Sequence, residues 1–366
     1  MEELEVYIIV NIAAFVIGLV FGAIAQKTQF CFSGSIKDYF LSGSTKRAAS
    51  VIVAMIIAIV STSLVTGHYE IDLLESPYFR DNINYFTIIL GGTLFGIGMM
   101  LSDGCSSRHI IKLAQGDSYS LVTIIFIGIF AYATTKGILS PIILPITTNE
   151  TLVETSALVP NFAVNIFVIV GFLFVALYVL IQGKFSRLIQ LYDGVIMGLL
   201  VALAWYLTGV IGSEAMERSI NLSALAFVYP TANSINTVIN YSVVDVSHGV
   251  ILIAGVFAGA LIMSFFNPKY SFGCLANTKG SKLNARMLGG ALMGVGGVLA
   301  IGCTVGQGLS GLSTLAFSSV LAISSIMISG WVSAKILLKK DMLPMCFIFE
   351  WDDKGKKDSR PNDYQI

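Results

Sequence analysis

The chain has 366 residues, of which 55% are hydrophobic and only 12% are charged, and its formal net charge is zero. A soluble domain usually carries about 25% charged residues, so this composition excludes a mostly water-facing surface and predicts a chain embedded in lipid. The neutral balance gives no reason to expect a nucleic acid or an acidic partner. The five cysteines fit poorly to a secreted disulfide framework, and we interpret them as free thiols.

Nine apolar runs have about the length of a membrane-spanning helix, which needs ~20 residues. The N-terminus, MEELE, lacks the positive charge of a secretory signal, so the first run is predicted to be a retained span. The charged tail from Lys335 is predicted to be cytoplasmic and its last part disordered. The predicted spans are 6–25, 48–66, 85–101, 119–135, 161–182, 191–210, 248–266, 287–302 and 313–334.

The distribution of positive charge supports this count. Nine spans place the loops on alternating sides, and 19 of the 22 Lys and Arg residues fall on one side. Loops rich in Lys and Arg stay on the cytoplasmic side. The sequence therefore predicts an N-terminus outside the cell and a C-terminus inside it.

An internal repeat relates two of the spans. Residues 91–105, GGTLFGIGMMLSDGC, and residues 289–303, GGALMGVGGVLAIGC, match at eight of fifteen positions with a constant offset of 198. The two copies are the third and eighth spans, so an odd number of crossings separates them and they must run in opposite directions. This pattern predicts the inverted-topology repeat of secondary transporters, in an all-α polytopic membrane protein with short re-entrant pieces meeting near the membrane middle.

The repeat also predicts the division of the chain. We expect a first half at 1–139, a linker with the fifth span at 140–190, a second half at 191–338 and a cytoplasmic tail at 339–366. Gly92 and Gly96, and likewise Gly290 and Gly294, have GxxxG spacing, which indicates close helix packing. A dinucleotide-binding fold is not supported, because these glycines lie within apolar spans rather than between a strand and a helix.

Three cysteines lie in similar local settings, in QFCFSGS, SDGCSSR and AIGCTVG. Each is followed by small hydroxyl residues or glycine, and a short helix is predicted after the first two. Helix N-termini offer free N–H groups and partial positive charge, so they bind anions. The repeat marks Cys105 and Cys303 as candidate anion-site thiols, and the candidate supporting backbone and helix-end residues are Gly104, Gly302, Ser33, Ser106 and Thr304. Cys31 has no repeat partner, so a functional role and a role as apolar filler both stay open for it at this point.

Two chemistries remain open for these thiols, since a protonated thiol can donate a weak hydrogen bond to an anion and a thiolate can act as a nucleophile. Cys274 and Cys346 have no repeat partner and are interpreted as apolar filler. No CxxC motif is present, so neither zinc nor another cofactor is expected.

Charged residues flank the first two thiols and mark a candidate vestibule formed by Lys27, Asp103 and Arg108. Ionisable groups within a membrane are costly and often functional, but groups at the inner interface can serve topology alone. Both interpretations stay open. His109 has no companion histidine nearby, so a metal-ligand role is not expected.

The chain resembles the YeeE/YedE family of sulfur-compound transporters, whose studied members take up thiosulfate. The resemblance covers roughly residues 10–338 and is carried by FGAIAQKTQFCFSGSIKDYF, GGTLFGIGMMLSDGCSS and MLGGALMGVGGVLAIGCTVGQGLSG. It implies an hourglass-shaped bacterial inner-membrane protein in which Cys31, Cys105 and Cys303 relay the anion by S–H···S contacts. It also implies a small TusA-like sulfur-carrier protein as a cytoplasmic partner.

Three functions follow as hypotheses. The first is thiosulfate uptake by the thiol relay. The second is a membrane-embedded sulfurtransferase that forms a cysteine persulfide, although no general base other than His109 is visible. The third is the same transporter with another sulfur or selenium species as its substrate.

Overall fold

The computed structural model describes residues 2–79, 83–147, 191–214, 220–239, 246–266, 283–340 and 342–344. The predicted fifth span at 161–182, Cys274, Cys346 and the charged end of the tail lie outside these residues. Within the described ranges the regular structure is helical and contains no strand, which confirms the all-α prediction.

Twelve α-helices are numbered here in chain order across the described residues. The helices are α1 Glu2–Thr28, α2 Phe32–Ser42, α3 Lys46–Tyr69, α4 Tyr85–Leu101, α5 Ser106–Ala114, α6 Ser118–Thr135, α7 Ser140–Thr147, α8 Tyr192–Tyr206, α9 Val228–Ile239, α10 His248–Phe266, α11 Leu283–Leu299 and α12 Phe317–Lys339. The short helices predicted after Cys31 and Cys105 are α2 and α5, so both are confirmed. A further helical segment, residues 304–313, follows Cys303 and contains a π-turn at Gly306–Gly311.

Seven helical segments of the described chain are long and apolar enough to cross a membrane, and the protein is a multi-pass membrane protein. An eighth apolar helix, Leu283–Leu299, is shorter, as the sequence predicted for the repeat copy. The total of nine spans stays a prediction. The seven segments are Val6–Leu41, Lys46–Tyr69, Tyr85–Ala114, Ser118–Thr135, Tyr192–Ile211, His248–Phe266 and Phe317–Lys339.

The main helix–helix contacts correspond to each other in pairs. Helix α1 packs against α10, and its counterpart α8 packs against α3. Helix α4 packs against α12 while α11 packs against α6, and α2 contacts α12 while α9 contacts α6. Each of these contacts has a partner contact among the helices that the predicted repeat would exchange. The inverted repeat as a whole stays a prediction.

Helices α4 and α11 cross at glycines. A Cβ added at Gly91 would lie 2.7 Å from the carbonyl oxygen of Gly296, and one added at Gly98 would lie 2.7 Å from that of Gly289. The early part of each helix thus contacts the late part of the other, so the two helices run in opposite directions. The offset of 198 maps the Gly91–Gly296 contact onto the Gly289–Gly98 contact.

The GxxxG glycines are packing sites, as predicted. Gly96 faces α12, where an added Cβ would lie 2.4 Å from the carbonyl oxygen of Ile326. Gly294 faces α6, where an added Cβ would lie 2.6 Å from the carbonyl oxygen of Ile127. The small residues therefore let the helix backbones approach directly, and the end of each of α4 and α11 lies beside the early part of the other.

Candidate functional site

The three buried cysteines occupy the same place in three similar turns. Each lies two residues after a non-glycine residue with positive φ, at Gln29 (59°), Asp103 (67°) and Ile301 (56°). A helical segment begins at the residue after each cysteine. The left-handed residue reverses the chain so that the cysteine becomes the N-terminal cap of the next helix.

The turns at Cys105 and Cys303 match in their hydrogen bonds as well. In each turn the amide before the cysteine donates to the carbonyl five residues earlier, and the amide four residues after the cysteine donates to the cysteine carbonyl. The bonds are Gly104 to Met99 at 3.0 Å, Gly302 to Gly297 at 2.8 Å, His109 to Cys105 at 3.1 Å and Gln307 to Cys303 at 2.7 Å. All of these positions keep the offset of 198, so the sequence repeat is also a repeat of local backbone structure.

The sulfur atoms of Cys31 and Cys303 accept hydrogen bonds from backbone amides in the first turns of their helices, whereas Cys105 makes no such bond. The amide of Gly34 donates to Cys31 Sγ at 3.4 Å, and the amide of Gly306 donates to Cys303 Sγ at 3.3 Å. Hydroxyl groups lie beside the other faces, with Ser33 Oγ 3.1 Å from Cys31 Sγ and Ser107 Oγ 3.3 Å from Cys105 Sγ. All three cysteines are free and buried.

Packing brings the three turns together. The thiols of Cys31 and Cys105 lie near each other, because Arg108 of α5 donates to Gln29 and Lys37 of α2 pairs with Asp103. Thr304, the residue after Cys303, also lies near Cys105. Cys105 therefore has neighbours from both the Cys31 turn and the Cys303 turn. Ser33 lies at the sulfur of Cys31, whereas Ser106 is buried at the start of α5.

Asp103 anchors the Cys105 turn with buried ion pairs. Its carboxylate pairs with Lys37 from α2 and accepts from Lys112 Nζ at 2.5 Å. Arg286 Nη2 lies 3.9 Å from the same carboxylate. Lys37 also donates to the carbonyl of Pro344 at 3.0 Å. The Asp103 carboxylate thus interacts with side chains from α2, α5 and α11. Through Lys37 it is also linked to the segment after α12.

His109 belongs to a network of buried polar side chains beside the Cys105 turn. Its Nδ1 lies 3.0 Å from Ser120 Oγ, and its Nε2 lies 3.2 Å from Ser102 Oγ. Ser120 donates to Asp117 at 2.7 Å, and Arg286 donates to the carbonyl of Ser102 at 2.6 Å. His109 is therefore a hydrogen-bonded core residue. The described residues contain no cluster of ligating side chains that could hold a metal.

The Cys31 turn has its own cationic neighbours. Arg108, from α5, donates through Nη2 to the side-chain oxygen of Gln29. Arg47 lies 3.2 Å from Asp38 through Nε, and its Nη1 would be 2.2 Å from a Cβ added at Gly34. Lys27 is exposed at the end of α1. Of the predicted vestibule residues, the structure brings Asp103 and Arg108 to the thiols, whereas Lys27 faces outward.

The Cys303 turn is uncharged by contrast, with Ile301 in the position of Asp103 and Gln307 in the position of His109. The Gln307 amide donates to the carbonyl of Ala300 at 2.6 Å. Buried Tyr78 donates to the carbonyl of Gly306 at 2.9 Å. Burial and the neighbouring Cys303 raise the pKa of Tyr78, so this phenol stays a protonated donor.

Sequence reasoning missed several of these residues. Arg286 lies within the first turn of α11 and is buried, although it had been counted in a loop. Arg47 and Tyr78 lie far from any cysteine in the sequence. No local motif marks these positions, because their roles arise from contacts between distant segments.

Comparison with known proteins gives consistent matches. The family described as sulphur transport matches residues 27–332. The thiosulfate transporter TsuA of Escherichia coli strain K12 is 23% identical over 88% of this chain and 93% of its own length. TsuA of Spirochaeta thermophila is 24% identical over 88% of this chain and 98% of its own length. The probable transporter YedE of Escherichia coli strain K12 is 24% identical over 28% of this chain and 24% of its own length.

Proposed function

This chain belongs to the sulphur-transport family, and from that premise we propose that it takes up thiosulfate across a bacterial inner membrane along a relay of cysteine thiols. The observation that carries the proposal is that Arg108 donates to Gln29 and Lys37 pairs with Asp103, so that the Cys31 turn packs on the Cys105 turn, with Thr304 of the Cys303 turn nearby. Both full-length relatives are named thiosulfate transporters, which supports this substrate over other sulfur or selenium species.

The chemistry suits a soft dianion. A thiol donates a weak hydrogen bond to the terminal sulfur of thiosulfate, and the N-termini of α2, α5 and residues 304–313 offset its charge. Conduction requires sites weak enough to release what they bind. The anion would enter from outside near Cys303, meet Cys105 and leave past Cys31, within halves at 1–139 and 191–338. A TusA-like carrier would receive it at the cytoplasmic face.

Cysteine substitutions test the relay. Cys105→Ala and Cys303→Ala should each abolish thiosulfate-dependent growth in a strain without other uptake systems, because the path loses its hydrogen-bond donors. Cys346→Ala, which lies outside the relay, should keep wild-type growth when membrane levels are equal. Full uptake in both relay variants would exclude the relay.

Double labelling separates transport from sulfur transfer. Proteoliposomes receive thiosulfate labelled in one sample at the terminal sulfur and in another at the sulfonate sulfur. Transport delivers both labels to the lumen in equal amounts. A sulfurtransferase would place the terminal sulfur on a cysteine thiolate and release sulfite, so the sulfonate label would remain outside. That result would replace uptake of the intact anion as the function.

A further inference from the structure

Arg108 is a buried cation whose hydrogen-bonding capacity is only partly used. The residue is 6% exposed, and Nη2 donates to the neutral side-chain oxygen of Gln29. Within the described part of the chain, its other terminal nitrogen, Nη1, has no hydrogen-bond partner. A buried guanidinium with an unpaired donor is costly, so its retention in this place points to a partner that arrives from elsewhere.

The surroundings favour an anion as that partner. Arg108 and Arg47 both act electrostatically on the thiol of Cys31, and Arg108 also acts on Cys105. Cys31 caps the N-terminus of α2, which adds partial positive charge. Arg47 has Asp38 as a counterion. The hydrogen bond through Nη2 gives Arg108 a neutral partner, and Asp103, which also acts on it electrostatically, already pairs with Lys37 and Lys112. The charge of Arg108 is therefore available to a ligand beside the thiols.

We propose that Arg108 forms an oxyanion subsite that holds the sulfonate end of thiosulfate while the terminal sulfur lies at Cys31. This inference rests on the proposed function and adds to it a residue that binds the sulfonate end of the substrate. A guanidinium presents a planar fork of donors that matches oxyanion geometry, whereas a thiol is suited to the terminal sulfur. The subsite would hold the anion where the relay ends.

Gln29 and Lys27 separate the charge of Arg108 from its surroundings. Gln29 is held by its own donation to the carbonyl of Gln26 at 2.8 Å, so it positions Nη2 without supplying charge. Lys27, two residues earlier, is exposed at the end of α1, so its substitution removes a nearby cation and leaves Arg108 in place.

Equilibrium binding of labelled thiosulfate to the purified full-length protein tests the subsite, with labelled sulfate as a second probe. Sulfate carries the oxyanion end but lacks the terminal sulfur. Arg108→Gln should weaken binding of both anions by roughly tenfold to a hundredfold, the range for a lost charge-assisted hydrogen bond. Arg108→Lys should restore part of the loss for both anions, because it keeps the charge without the fork.

Matched variants keep the outcome interpretable. Lys27→Gln, which removes an exposed cation that faces outward, should bind thiosulfate within about threefold of wild type. Arg108→Met, which keeps much of the side-chain volume without the charge, serves as the second variant if Arg108→Gln does not fold. It should weaken binding of both anions by a similar factor. Cys31→Ala should weaken thiosulfate binding and leave sulfate binding unchanged.

Two failures can be told apart. Wild-type affinity for both anions in folded Arg108→Gln or, where that variant does not fold, in folded Arg108→Met or Arg108→Lys would overturn the subsite and leave the relay standing. A wild-type protein that neither binds nor transports thiosulfate would overturn the proposed function itself.

Discussion

The turns that hold Cys105 and Cys303 share one backbone but differ in charge. Both place a left-handed residue two positions before the cysteine and repeat the same hydrogen bonds. The first has Asp103 with Lys37, Lys112 and Arg286 around it, whereas the second has Ile301 at the same position. The difference teaches that the two turns keep the same backbone geometry while the charge around the thiol differs between them. Cations concentrate on the Cys105 and Cys31 side.

The largest effect should come from removing the charge that distinguishes the two turns. Asp103→Asn keeps the shape and the tolerance for positive φ but leaves Lys37 and Lys112 without their carboxylate. Breaking a buried ion pair costs about 3–5 kcal/mol, so the variant should lose that much free energy of unfolding. The measurement is reversible unfolding of the purified protein in mixed detergent micelles.

Ile301→Asn is the matched control in the other turn. It places the same side chain at the same backbone position, where no ion pair is lost and positive φ suits asparagine better than isoleucine. Its free energy of unfolding should change by less than about 1 kcal/mol. Equal losses in the two variants would show that the turns depend on backbone shape rather than on charge.

The second-largest effect should come from the glycines at the crossing of α4 and α11. Gly98→Ala and Gly296→Ala are related by the offset of 198, and each added methyl would lie within 2.7 Å of a backbone oxygen across the α4–α11 crossing. Both should lower the free energy of unfolding by about 1–3 kcal/mol through overpacking, and by similar amounts.

Gly67→Ala in α3 provides the comparison, since an added Cβ there has no neighbour within 4 Å. It should be neutral or stabilising by up to about 1 kcal/mol, because alanine favours a helix more than glycine does. A strong loss in one crossing variant and none in the other would contradict the symmetric crossing.

The smallest effect lies on the Cys303 side. Tyr78→Phe removes the hydrogen bond to the carbonyl of Gly306 and should cost about 0.5–1.5 kcal/mol, whereas Tyr119→Phe at an exposed site should cost nothing measurable. The raised pKa of Tyr78 means that the folded protein keeps this proton where the unfolded chain loses it, above about pH 10.

The wild-type free energy of unfolding should therefore fall as the pH rises above about 10. Tyr78→Phe should remove that part of the pH dependence, which a titration of the unfolding midpoint measures. An unchanged pH dependence in the variant would show that the phenol titrates normally in the folded protein.

Local sequence signals predicted a large part of this architecture. Apolar runs predicted the helices closely, with α4 at 85–101 and α10 at 248–266 matching to the residue. The helix after Cys31 was predicted from small hydroxyl residues, which cap helices through short-range contacts. Such features follow from neighbours in the chain, so a single sequence suffices to predict them.

By itself, the sequence determined the membrane class, the repeat at an offset of 198 and the three thiols, because composition, periodicity and local motifs depend on nearby residues. Only the tertiary structure decided which cysteine turns pack together and which carboxylate neutralises Lys37. It also decided that Arg108 lies near Cys31 and that its Nη1 has no hydrogen-bond partner in the described part of the chain. Those facts depend on side chains far apart in the chain meeting in a medium of low dielectric. In such a medium the free energy of a charged side chain depends mainly on which charged or polar groups lie next to it.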